Sequence, residues 1–86
     1  IMTLRMVEID IELLKMRRLG LLDQFYYRRF LRIIEALESK SSTWYLSRQL
    51  GTPCRELRKD LRDLERLGLV NSDSNGSNNI YWELTP

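Results

Sequence analysis

The segment from Thr52 to Gly68 leaves this chain the least freedom. Leu57, Leu61, Leu64 and Leu67 recur at helical steps, so at about 100° per residue they form one apolar stripe. Arg55, Arg58, Lys59, Arg62 and Arg66 fall within an arc of roughly 100° on the opposite side. Glu56, Asp60, Asp63 and Glu65 lie on the flanks. The segment is therefore expected to be a helix over 53–67, with its leucines in a core and its cations in water. Thr52 is expected to cap it through the hydroxyl, Pro53 suits a first helical position that needs no backbone donor, and Gly68 suits a left-handed stop. A face of five cations unbroken by a carboxylate suits a polyanion. The plainer reading is a solvated surface stabilised by Lys59 with Asp63 and Arg62 with Glu65.

The residues just before this helix favour the first reading. A helix from about Thr43 to Leu50 is expected, with Leu46 and Leu50 one turn apart, Ser42 or Thr43 as cap and Gly51 as stop. Only Gly51, Thr52 and Pro53 connect the two helices, and so short a turn makes them cross steeply and presents the second one outward. Leu46-Ser47-Arg48-Gln49-Leu50-Gly51 resembles the winged helix-turn-helix family. So do the leucines at 57, 61 and 64, the run Leu64-Glu65-Arg66-Leu67-Gly68-Leu69-Val70, and Trp82-Glu83-Leu84-Thr85-Pro86. The resemblance spans roughly residues 25–86, and it implies a domain that binds double-stranded DNA with its second helix in the major groove.

Composition bounds the alternatives. The 86 residues, 43% apolar and 30% charged, suit one small domain, for which a partner subunit adds needed burial. A net charge of +2 is too mild to imply nucleic acid by itself, so the arrangement of charge carries the argument. One cysteine makes no internal disulfide, and with no histidine the usual metal, triad and proton-shuttle constellations are missing; no enzyme, cofactor, metal or small-molecule site is expected. No apolar run reaches a membrane span, and no leader pattern opens the chain. A cytoplasmic protein is expected, nucleoid-associated if prokaryotic. Ile1 ahead of Met2 is set aside as a tag remnant or processed end.

From Met2 to Leu19 two periods compete. As a strand, Val7, Ile9, Ile11 and Leu13 alternate with Glu8, Asp10 and Glu12. As a helix, the favoured reading, the segment carries two apolar stripes: Leu4, Val7, Ile11 and Leu14, and on the other side Met2, Met6, Ile9, Leu13 and Met16. A helix with two apolar sides needs two neighbours, so 1–22 is expected to be a homodimerisation arm and 23–86 the DNA-binding domain. Met6, Ile9, Leu13 and Met16 are assigned to the partner, although sequence alone leaves the two stripes exchangeable; covering of both by the chain's own core is the alternative.

Asp23 is expected to cap a helix running to about Glu38, with Tyr26, Tyr27, Phe30, Ile33, Ile34 and Leu37 on its core face. Arg28, Arg29 and Arg32 read as solvated residues or phosphate contacts. Lys40-Ser41-Ser42 reads as a polar link, and Trp44 and Tyr45 as filling between the helices and a hairpin, with a phosphate contact by the Tyr45 hydroxyl as the variant reading. Leu69 and Val70 start one strand, and Ile80, Trp82 and Leu84 alternate with Tyr81 and Glu83 in another, with Asn75-Gly76 as the turn. This hairpin matches the wing, but its tip carries Asp73 and no Arg or Lys, unlike the common family pattern.

The expected architecture is thus mainly α with a small β-hairpin, a winged helix-turn-helix with an N-terminal helical or strand arm. Expected DNA-contacting residues are Pro53, Cys54, Arg55, Arg58, Lys59, Arg62 and Arg66. A redox role for Cys54 has no second cysteine to support it, so it reads as a small residue near the DNA backbone. The leading alternative is an interaction module within an assembly that never meets DNA, favoured by a hairpin tip without Arg or Lys. A single-strand or RNA binder would need exposed aromatic side chains, which this reading assigns to the core.

Overall fold

A computed structural model of the chain describes residues 2–74, 76 and 78–86. These form four helices and a small antiparallel sheet: α1 (Leu4–Arg18), α2 (Gln24–Ala36), β1 (Ser41–Ser42), α3 (Thr43–Leu50), α4 (Cys54–Arg66), β2 (Val70–Asp73) and β3 (Tyr81–Leu84). The ambiguous amino-terminal segment is helical. Thr3 caps it by accepting from the Met6 N–H, and Lys15, Arg17 and Arg18 occupy its last turn, where the helix dipole favours cations. The Asp23 carboxylate caps α2 through the Tyr26 N–H at 2.8 Å, and the Ser42 hydroxyl caps α3 through the Tyr45 N–H at 3.1 Å. Gly51 and Gly68, at φ of 63° and 77°, adopt the left-handed conformation at the ends of α3 and α4.

The expected cap of α4 does not form. Pro53 occupies the cap position and no side chain caps the helix, because the Thr52 hydroxyl turns back toward the Leu50 carbonyl at 3.5 Å. The turn is held from the other side, where the Ser47 hydroxyl donates to the Thr52 carbonyl at 2.6 Å and the Thr52 N–H donates to the Ser47 carbonyl at 3.2 Å.

A single apolar cluster draws on every helix: Met6, Ile9 and Leu13 of α1, Phe30, Ile33 and Ile34 of α2, Leu46 of α3, Leu57, Leu61 and Leu64 of α4, with Leu37, Leu69, Val70 and Trp82. Burying each of these side chains contributes about 1.5–3 kcal/mol. α1 packs on α2, which packs on α3 and α4. α1 is therefore part of the common core and no separate arm. Arg5 on α1 also donates to the Thr85 carbonyl at 2.6 Å and hydroxyl at 2.8 Å, joining the two ends of the chain.

The same burial reverses the assignment of the α1 stripes. Met6, Ile9 and Leu13 are fully buried and unavailable to a partner, and Met16 is half-buried against the cluster. Leu4, Val7 and Ile11 face solvent instead.

The Lys40-Ser41-Ser42 link contains a strand. β1 pairs with β3, Ser41 opposite Trp82 and Ser42 opposite Tyr81, and β3 pairs in turn with β2, giving the order β1-β3-β2. Trp82 on the central strand is fully buried, and its indole N–H donates to the Thr43 hydroxyl at 2.8 Å. Thr43 also donates from N–H and hydroxyl to the Ile80 carbonyl, at 3.0 and 3.2 Å, which locks the start of α3 to the hairpin. Gly76 has the positive φ expected of the turn, whereas Asn75 lies outside the described residues, as does Ile1.

Candidate nucleic-acid interface

Burial of Leu57, Leu61 and Leu64 fixes how α4 is rotated. Arg55, Arg58, Lys59, Arg62 and Arg66 are consequently all exposed, and together with Asp63 they line a shallow groove of about 430 Å³. Pro53 is exposed and Cys54 half-buried at the entering end of the helix. Two expectations for this helix need correction. Leu67 is not in the core but exposed, because at about 100° per residue it lies about 80° from Leu57, at the edge of the stripe. The cationic face is also not free of carboxylate: Asp63 lies in the groove and bonds to Arg66, rather than to Lys59.

The five cations then divide into two groups. Arg66 is paired with Asp63; Arg62 bridges to Glu65 at 3.4 Å and lies over the Trp82 ring, 5.5 Å from its centroid. Glu65 in turn accepts from the Ser72 hydroxyl at 2.6 Å, so the second half of α4 is tied to the hairpin. Arg55, Arg58 and Lys59 have no ion-pair partner among the described residues. The half of the helix nearest the turn thus holds the cations without an ion-pair partner among the described residues, beside the exposed Glu56 of its first turn.

Asp60, expected on a flank, is the one buried charge in the described structure. Arg29 of α2 grips it with both guanidinium arms, Nη2 to Oδ1 at 2.7 Å and Nε to Oδ2 at 3.1 Å, while stacking on the Tyr26 ring at 4.8 Å. The hydrogen bond to Asp60 raises the Arg29 pKa above its ordinary value. Arg29 is therefore a structural clamp between α2 and α4. Arg32 donates to the Leu50 carbonyl at 3.3 Å, and Arg28 is exposed. Tyr27, half-buried, donates its hydroxyl to Asp10 at 2.6 Å; burial, and then the bond to Asp10, push its phenol pKa up.

The other unanticipated feature is aromatic. Trp44, Tyr45 and Tyr81 are 58%, 49% and 40% exposed, not filling between helices and hairpin, and they line an open groove of about 700 Å³ beside Lys40 and Ser42. Taking Leu46 and Leu50 as the inward side of α3, Trp44 falls almost opposite them at 100° per residue, a signal already in the sequence. The exposed aromatics that a single-strand binder requires are thus present.

Comparison of the chain with protein-family models, curated proteins and solved structures finds no match. Among the described residues no group of three or more His, Cys, Asp or Glu is placed to hold a metal ion, and no helix is long and apolar enough to cross a membrane.

Proposed function

We propose that this chain is a winged helix-turn-helix protein that binds double-stranded DNA, as a regulator of transcription inside the cell. The observation that carries the reading is the set of three cations without an ion-pair partner among the described residues, Arg55, Arg58 and Lys59, on the outward side of the first half of α4. In this reading Pro53 to Lys59 enters the major groove, with Arg55 closest to base edges and Arg58 and Lys59 on bases or phosphates. The uncapped start of α4 adds backbone donors at the end where the helix dipole favours an anion. Arg62 and Arg66 reach phosphates by releasing Glu65 and Asp63. The hairpin, without Arg or Lys, contributes only hydrogen bonds to the backbone.

A second copy completes the proposed binding unit. Leu4, Val7 and Ile11 form an exposed stripe on α1 at heptad spacing, flanked by Glu8 in its first half and Lys15 in its second. Antiparallel pairing of two α1 helices covers the stripe. Two-fold symmetry then favours a roughly palindromic site, with half-sites about 34 Å apart.

The absence of cations from the hairpin favours the second reading, a protein interaction module. Titration of random duplex DNA at two or more salt concentrations decides between the two. Neutralising three to five phosphates gives a slope of log affinity on log salt of about −2.7 to −4.5. Failure to bind any duplex at low salt removes the DNA reading and leaves the interaction module.

A further inference from the structure

Trp44, Tyr45 and Tyr81 line a groove whose chemistry differs from that of the α4 face. We propose that it binds an unpaired nucleotide, on a single strand continuing from duplex DNA held by α4. The proposal rests on the duplex reading for the origin of the strand; the groove is argued from its own residues. Three exposed rings offer stacking faces to bases of any sequence. Lys40, Ser42 and Asn79, which line the same groove, are polar groups of the kind that bond base edges and phosphates.

The lining also argues for this occupant over an apolar protein segment. Among the described residues it contains no aliphatic side chain and no carboxylate. Arg48 lies over the Trp44 ring at 5.4 Å and has no ion-pair partner among the described residues, so a cation flanks the stacking surface. Lys40 is bonded to Asp73 at 2.6 Å at the margin, which leaves Arg48 as the main attraction for phosphate. The groove also lies close to the α4 face. Arg62 covers the Trp82 ring, the Trp82 indole bonds Thr43, and Trp44 is the next residue, so one buried side chain spans the distance between the two surfaces.

Trp82 is buried and Trp44 exposed, so a collisional quencher reaches Trp44 selectively. The test is a fluorescence and anisotropy titration of the intact protein with oligothymidine, a blunt duplex, and the same duplex carrying a single-stranded tail. Oligothymidine and the tailed duplex quench Trp44 and protect it from iodide, and the tail raises duplex affinity about tenfold or more. Trp44→Leu and Tyr81→Leu each remove the advantage of the tail and leave blunt-duplex affinity unchanged; both residues are exposed, so neither change threatens the fold. Equal affinity for tailed and blunt duplexes, with no quenching by oligothymidine, overturns the proposal. Quenching by a proline-rich peptide but not by oligothymidine also overturns it, and assigns the groove to protein recognition. If oligothymidine quenches Trp44 while no blunt duplex binds, the groove stands and the duplex reading of α4 falls.

Discussion

α1 and α4 are amphipathic in different ways, and each leaves a different surface for a partner. α4 sets leucines against cations, so the side that packs and the side that remains can be told apart residue by residue. α1 has apolar residues on two sides and buries only one of them, Met6, Ile9 and Leu13, leaving Leu4, Val7 and Ile11 in water. Periodicity tells that a helix has an inward side. Only contrast between its sides tells which one.

The largest effect should separate the two sides of α1. Ile9→Asp places a charge in a fully buried site and unfolds the chain, because a domain of this size has only about 4–13 kcal/mol of stability to lose. Ile11→Asp leaves the circular dichroism spectrum and melting temperature of the monomer nearly intact, and instead abolishes self-association in sedimentation. If Ile11→Asp unfolds the chain and Ile9→Asp does not, the orientation of α1 is wrong.

Next in size is the clamp that holds α4. Arg29→Met leaves Asp60 buried without its cation and should lower stability by about 2 kcal/mol, below the range for fully buried pairs because Arg29 is half exposed. Chemical denaturation of the purified variant measures this. A loss indistinguishable from zero would show that Asp60 finds another partner.

A smaller difference distinguishes the two halves of α4. Arg58→Ala should not change the melting temperature, whereas Arg62→Ala uncovers the Trp82 ring and should cost roughly 0.5–1 kcal/mol. Sequence reasoning treated these two arginines alike, since both sit on the cationic arc. Thermal melts of the two variants side by side check the distinction, and equal melting temperatures would remove it.

The same contrast explains what was legible in the sequence. The boundaries of α3, the hairpin with Trp82 inward, and the caps at Asp23 and Ser42 follow from local chemistry, and all are found. β1 leaves no signal in the sequence, because serine carries little strand preference. Its two residues are extended only because Trp82 and Tyr81 pair with them from about forty positions away. Asp60 and Arg29 were misread for a related reason: each looks like a surface residue until the other is brought to it by the packing of α2 on α4. Trp44 and Tyr45 are a different case, since the positions of Leu46 and Leu50 already point them outward. There aromatic character suggests burial and periodicity exposure, and periodicity is the better guide.

The central claim is that the first half of α4 carries nucleic-acid binding, and duplex affinity of the Arg55→Ala, Arg58→Ala, Lys59→Ala triple variant tests it most directly. These three side chains have no ion-pair partner among the described residues, so the variant should melt with the parent protein. At low salt its affinity should fall by about a hundredfold or more, and the slope of log affinity on log salt should shrink by about 2.7, the share of three phosphates. An affinity and a salt slope that both match the parent protein would contradict the claim.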